Sequence, residues 1–280
     1  VNEQGGRSMI SVICVYNDSN LVQACLLKSL SEQETGCETI VIDNTQNRFK
    51  SAAAALNWGA TQAAGDYMMF VHQDVALCSN SFFDGLEALL VSLPHLGVAG
   101  IAGISERGGP FLERLDNKIN HRPQERFRNV ITQGPERDSW GTPIKAPERV
   151  QTLDECLVII PKKVWQMMQF DEAVCDGWHL YAADYCLSVA AQGFCVYVIP
   201  KSVHHQSKGF TGRGALGVIK ALGLHPAEYY RILGRVLKKH EENYKLIHTS
   251  CGSWSTAYPL GLQRAKLVFK HVVLSLIFRD

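Results

Sequence analysis

Gly65-Asp66-Tyr67-Met68-Met69-Phe70-Val71-His72-Gln73-Asp74 decides the fold. Five uninterrupted apolar residues are followed at once by three polar ones. So short a run, apolar at every position, reads as a strand buried on both faces, the kind found in sheets covered by helices above and below. Before it, the alanine-rich stretch from Ser51 to Ala64 has strong helix propensity, and Gly65 supplies its stop signal.

The same alternation extends in both directions. Towards the N-terminus, Ile10 to Val15 reads as a strand, Tyr16-Asn17-Asp18-Ser19-Asn20 as a turn and helix cap, Leu21 to Leu30 as a helix, and Thr39 to Ile42 as a second strand closed by Asp43-Asn44. Towards the C-terminus, Ser81 to Leu93 reads as a helix and Val98 to Ile104 as a strand. The pattern predicts an α/β domain with a mostly parallel, mixed sheet flanked by helices. Ligands of such sheets bind beyond the carboxyl ends of the strands. Tyr16, Asn17, Asp43 and Asp74 all stand at such ends, and the topology gathers them into one pocket.

From Ser105 to Arg149 the pattern breaks, with Gly108-Gly109-Pro110, Pro123, Gly134-Pro135, Pro143 and Pro147 among charges of both signs. A segment this long reads as a lid, a binding loop or an insertion. Order resumes with a strand from Leu153 to Ile160, a helix from Pro161 through Met168, a helix from Tyr181 to Ala191, and a strand from Phe194 to Ile199 that leads into His204-His205. After Gly217 the chain reads as helical, broken at Cys251-Gly252-Ser253, with a last helix from about Leu260 to Phe278. The expected organisation is a flexible N-terminus (1–8), an α/β domain (9–213) made of a first half (9–104), a long loop or insertion (105–150) and a second half (151–213), and a helical C-terminal extension (214–280).

Composition narrows the function. Of 280 residues, 46% are hydrophobic and 20% charged, values of an ordinary globular protein. A formal net charge of +1 gives no global field for a polyanion, so nucleic acid is not an expected partner. Nine cysteines without a CxxC pair read as reduced core residues. The polar stretch 1–8 lacks the apolar core of a secretory signal, which predicts a cytoplasmic setting. The basic and apolar segment 260–278 is expected either to lie peripherally on the inner face of a membrane or to dock on a second copy of the chain.

Taken in order, these residues resemble glycosyltransferase family 2 and its relatives of the GT-A fold, over roughly Ile10 to Gly209, and the resemblance implies that 9–213 is a catalytic domain with 9–104 its nucleotide-binding half and 151–213 its acceptor half. The resemblance implies that the first strand and its turn, Val15-Tyr16-Asn17, contact a nucleotide and that Asp43 contacts its base or ribose. Asn44, Asn57 and Gln73 join this nucleotide-binding set. The approach Gly65-Asp66-Tyr67 matches the family's lead into its acidic DxD triplet, but here His72 replaces the first carboxylate and leaves Asp74 as the acid. Tyr181-Ala182 stands where the family has a Glu-Asp pair, so the catalytic base is open between Asp184, His179 and Asp176.

Transfer of a sugar from a nucleoside diphosphate needs a stabilised leaving group, a positioned acceptor hydroxyl and, for inversion, a base. Mn2+ or Mg2+ would answer the first need. Asp74 with His205, or its neighbour His204, is the expected ligand set, since imidazole beside carboxylate suits manganese. Lys208 and Arg213, in a glycine-rich basic stretch, are expected to close on the diphosphate, and Trp178 to stack on an acceptor. The expected function is a glycosyltransferase moving a sugar from a UDP- or GDP-linked donor to a glycan, lipid-linked or small-molecule acceptor. The missing acids leave a catalytically silent binding module as the rival. A nucleotidyltransferase is the other alternative, though Tyr16-Asn17-Asp18 does not resemble its phosphate loop.

Overall fold

The computed structural model describes residues 9–105, 127–134, 137–206 and 225–277. Lys208 and Arg213 lie outside the described residues, as does much of the long loop. The first half follows the expected alternation. Strand β1 (Ile10–Tyr16) leads through α1 (Ser19–Val22), a π-helical stretch (Gln23–Leu27) and α2 (Lys28–Ser31) to β2 (Glu38–Asp43), and α3 (Ala52–Ala60) leads to β3 (Tyr67–Val71). Ser51 caps α3 by accepting the Ala54 N–H at 3.2 Å. Gly59 lets that helix lie close to the sheet, because a Cβ there would come within 2.6 Å of Ile42 and 2.8 Å of Ile13.

After β4 (Val75–Leu77) and α4 (Leu86–Ser92), the chain adds β5 (Leu96–Gly100) and the short β6 (Gly103–Ile104). The helix expected from Ser81 is confined to its second half. The Ser79 hydroxyl accepts the Ser81 N–H and the Gln33 carboxamide accepts that of Phe82, which holds residues 79–85 in turns. Further on come β7 (Phe127–Arg128), β8 (Ile131–Gln133), β9 (Asp138–Trp140), β10 (Glu148–Arg149), β11 (Thr152–Leu153), β12 (Leu157–Pro161) and α5 (Lys162–Met167). Then follow α6 (Tyr181–Ala191), β13 (Cys195–Val198), β14 (Val203–His205), α7 (Ala227–Lys239), the hairpin β15 (Leu246–Thr249) and β16 (Gly252–Ser255), and α8 (Leu260–Ile277).

Seven strands form the central sheet in the order β10-β13-β5-β12-β3-β1-β2. Its first half is parallel, but β12 enters antiparallel between β3 and β5, and β10 runs antiparallel to β13. The sheet is therefore mixed but mostly parallel, as expected: β2, β1, β3, β5 and β13 run one way, and only β12 and β10 oppose them. An unbroken apolar run such as Leu157-Val158-Ile159-Ile160 reports burial on both faces but carries no direction, which is why its sense could not be read locally.

Both faces are covered. Ile13, Met68, Phe70, Val158 and Ile160 face one core with α3, α6 and α7, while Val12, Cys14, Met69, Val71 and Ile159 face the other with the helices after β1 and with α4. This is the period of two expected of strands. All nine cysteines are free, five of them buried.

The C-terminal extension includes a hairpin where only a helix break was expected. Thr152 and Gln151 donate to the His248 and Leu246 carbonyls, which ties β15 beside β11. Helix α7 is held by a buried charge cluster. Asp184, nearly inaccessible on α6, receives Lys239 Nζ at 2.7 Å on one oxygen and His240 Nε2 at 2.8 Å on the other, and Lys239 also reaches Asp171 at 2.9 Å. Removing Asp184 takes the partner of the buried His240 and one of the two partners of Lys239. Asp184→Ala is therefore expected to lower unfolding stability by about 3 kcal/mol, measured by urea denaturation, with a cost no larger than that of an exposed ion pair counting against the cluster's role.

Candidate active site

Three turns meet at the carboxyl ends of β1, β2 and β3. Gln73 accepts the N–H groups of Asn17 and Asp18 at 3.0 Å each and donates back to Asn17 Oδ1 at 2.7 Å, so the turns after β1 and β3 are joined directly. The Asn44 N–H donates to the Tyr16 carbonyl at 2.8 Å, which brings in the turn after β2. There Asp43 accepts the Thr45 N–H at 2.8 Å and its hydroxyl at 2.7 Å. Those bonds hold the Asp43 pKa below its ordinary value, with the Tyr16 hydroxyl helping.

The chemistry-bearing cluster sits beside this junction. Strand β14 pairs antiparallel with β4, setting His205 opposite Val75, and β8 supports its other edge. His205 Nε2 lies 3.2 Å from Asp74 Oδ1, with both side chains largely buried. The ring of His72 stands 5.6 Å from that of His205 between centroids. His72, Asp74 and His205 each offer a ligand atom, and all three atoms lie within 4.8 Å of one another. Two imidazoles and one carboxylate form a donor set suited to a divalent transition-metal ion, so these residues fit such a cation.

The electrostatics agree with that geometry. Burial opposes ionisation of Asp74, but the hydrogen bond and charge of His205, with His72 behind it, outweigh burial and hold its pKa at about 2. Burial likewise works against a charged His205, and Asp74 overcomes it and raises the imidazole's pKa. His72 moves the other way, lowered by burial and by His205. A neutral His72 and an ionised Asp74 are the forms that bind a cation.

The other expected residues take diverse places. His204 points to the opposite side of β14, where its Nδ1 meets the Thr132 hydroxyl at 3.0 Å; adjacent strand residues alternate faces, so only one of the two histidines can join the cluster. This corrects His204 as a ligand. Asn57 is buried, and its carboxamide is spent on Phe170 and Glu172, which corrects its place in the nucleotide set. Asn44 braces the loop to Phe49 through both carboxamide atoms. Val15 is half-buried and packs against the core.

Among the acceptor-side residues, Trp178 is 39% exposed. His179 leans on Tyr229 and lies 3.9 Å from Glu228, with burial lowering its pKa. Asp176 pairs at the surface with Arg231 at 2.5 Å and Arg235 at 2.8 Å. Asp184 is only 1% exposed, and its oxygens are turned to Lys239 and His240 in the core, so it is corrected from base to structural acid.

His72, Asp154, Glu155 and Tyr181 were missed as site residues. The Tyr181 hydroxyl lies 3.1 Å from His72 Nε2 and donates to the Glu155 carbonyl at 3.2 Å. Asp154 is close enough for its charge to raise the pKa of both His72 and His205 against the pull of burial. A polar pair immediately before an apolar strand was the available signal, and it went unread because an antiparallel strand brings its start, not its end, to this edge.

A family model described as "Glycosyltransferase like family" matches residues 11–208. Among solved structures, a mannosyltransferase from Pyrobaculum calidifontis in complex with GDP-Man and Mn2+ is similar at TM-score 0.53 and 13% identity, over 98% of this chain and 76% of that one. S. aureus TarS 1-349 in complex with UDP-GlcNAc gives 0.51 at 13%, over 96% and 73%. GalNAc-T7 with UDP, GalNAc and Mn2+ gives 0.52 at 12%, over 96% and 56%. These likenesses show the GT-A fold. A curated sequence, "ATP synthase subunits region ORF 6" of Fuscovulum blasticum, is 29% identical over 147 residues, 51% of this chain and 53% of that protein, so the chain matches only about half the length of this relative.

Proton and cation compete for His205. Mn2+ affinity is expected to rise with pH as the solution passes above 6.5, the ordinary histidine value from which this pKa is raised. By calorimetry, Asp74→Asn should weaken Mn2+ binding by on the order of tenfold or more, whereas His204→Ala should leave it unchanged. Equal losses in both variants would place the ion elsewhere.

Proposed function

We propose, from the fact that the chain belongs to the glycosyltransferase-like family, that it moves a sugar from a UDP- or GDP-linked donor to a hydroxyl of a glycan, lipid-linked or small-molecule acceptor. The observation that carries this reading is the joining of the Asn17 and Gln73 turns, which sets the ends of β1 and β3 beside the His72, Asp74 and His205 cluster. On this reading Tyr16, Asn17 and Asp43 hold the nucleoside, and Asp43, held ionised by Thr45, accepts hydrogen bonds from base or ribose. A divalent cation held by Asp74, His205 and His72 would supply Lewis-acid stabilisation to the departing diphosphate. Gln73 keeps the two turns at a constant separation, and Tyr181 orients the His72 ring.

A second reading, a silent nucleotide-binding module, draws on the engagement of Asp184 in ion pairs. Donor hydrolysis separates the two, because only the enzyme releases free nucleoside diphosphate, and that release should vanish in Asp74→Asn.

Contact of the last helix with a membrane surface is also proposed. Leu262 and Phe269, seven positions apart on α8, are 65% and 70% exposed, and no acidic residue occurs from 257 to 279. No helix among the described residues is long and apolar enough to cross a membrane.

Two measurements follow. In a thermal-shift panel of nucleoside diphosphates with and without Mn2+, one nucleotide should stabilise by about 2.7 kcal/mol at a hundredfold excess over its Kd, more with the ion; Asp43→Ala should weaken that nucleotide by about tenfold. No response to any nucleotide would defeat the transfer reading. In flotation, the chain should rise with vesicles containing phosphatidylserine, and Leu262→Glu should stay at the bottom; recovery of wild type in the dense fraction would dismiss the membrane contact.

A further inference from the structure

We propose that Glu155 is the residue that takes the proton from the attacking acceptor hydroxyl, filling the role that Asp184 cannot; this rests on the sugar-transfer reading above. Glu155 lies between β11 and β12 on the same sheet edge as the cluster, since the next residue, Cys156, accepts the His72 N–H at 3.0 Å. Its carbonyl accepts the Tyr181 hydroxyl that also meets His72. Its carboxylate faces the backbone N–H groups of Leu180, Tyr181 and Ala182 at the start of α6, a helix end with no side-chain cap of its own. Leu180 adopts a left-handed conformation there, φ +66°. The acid thus arrives from a different loop at the first turn where residues 181 and 182 carry no carboxylate.

Glu155 is half-buried, yet its Oε1 is inaccessible and has no hydrogen-bond partner. A buried carboxylate oxygen without a donor is costly, and a bound acceptor hydroxyl is a donor of the required kind. Burial, then the neighbouring Asp154, pushes the Glu155 pKa up to about 8, so the carboxylate predominates above that pH and is there a far stronger proton acceptor than an ordinary one. The other titratable groups that feel its charge, Tyr181, Tyr229, Cys175, Cys186 and Cys251, are all held neutral, chiefly by burial. Cys251, at the tip of the β15–β16 hairpin that with Ile104 and Phe127 lines a cleft, is near enough to feel the Glu155 charge.

The step balances as a single displacement. The hydroxyl proton passes to the Glu155 carboxylate, and the hydroxyl oxygen uses an electron pair to bond the anomeric carbon. The bond from that carbon to the diphosphate breaks, and its electron pair leaves with the nucleoside diphosphate. The anomeric centre is inverted, and when water is the acceptor the product is free sugar.

The test is hydrolysis of UDP-glucose and GDP-mannose by the full chain with Mn2+, followed as released nucleoside diphosphate. Glu155→Gln is expected to lower kcat by on the order of a hundredfold, with the donor KM and the thermal shift by nucleotide and Mn2+ unchanged. Placing an acid at the other position, Glu155→Ala with Ala182→Asp, is expected to recover about tenfold over Glu155→Ala alone. Equal rates for wild type and Glu155→Gln, or no recovery in the double variant, overturn the assignment while leaving the transfer reading intact. If wild type hydrolyses neither donor, the transfer reading falls, and this proposal with it.

Discussion

The carboxamide of Gln73 is the constraint on which the site depends. Three hydrogen bonds, two accepted from Asn17 and Asp18 and one donated to Asn17, hold together turns that are fifty-six residues apart in sequence. Each such bond contributes only about 1 kcal/mol in net terms. Their effect is geometric more than energetic, because both turns hang from strands buried on two faces, whose ends move little. With those turns joined, Asp74 has one place to be, and His205 meets it from β14.

The antiparallel entry of β12 has the next largest consequence. It brings the start of a strand, rather than its end, to the ligand-facing edge between β3 and β5, and with it Asp154 and Glu155. The His72 N–H bond to Cys156 and the Tyr181 bridge then lock the two strand ends to the start of α6. The polar groups at this edge therefore come from four separated segments.

The buried cluster of Asp184, Lys239 and His240 belongs to architecture instead. It consumes the acid that the sequence offered as a base and uses it to clamp α7 to α6, at the helix C-terminus where Lys239 also complements the helix dipole. The hairpin beyond α7 is held to β11 by Gln151 and Thr152.

Hydrophobic period and propensity were enough to announce β1, β2, β3 and the helices between them, because burial on both faces and an alanine-rich helix are local demands that local residues must meet. They also placed Asn17, Asp43 and Asp74 at strand ends, where topology alone makes neighbours. Direction of β12, the opposite orientations of His204 and His205, the fate of Asp184 and the approach of Glu155 to α6 were decided only in three dimensions. Each depends on which distant group supplies or withholds a hydrogen bond or a charge, and a side chain's partner across a sheet or a helix interface leaves no mark on its immediate sequence.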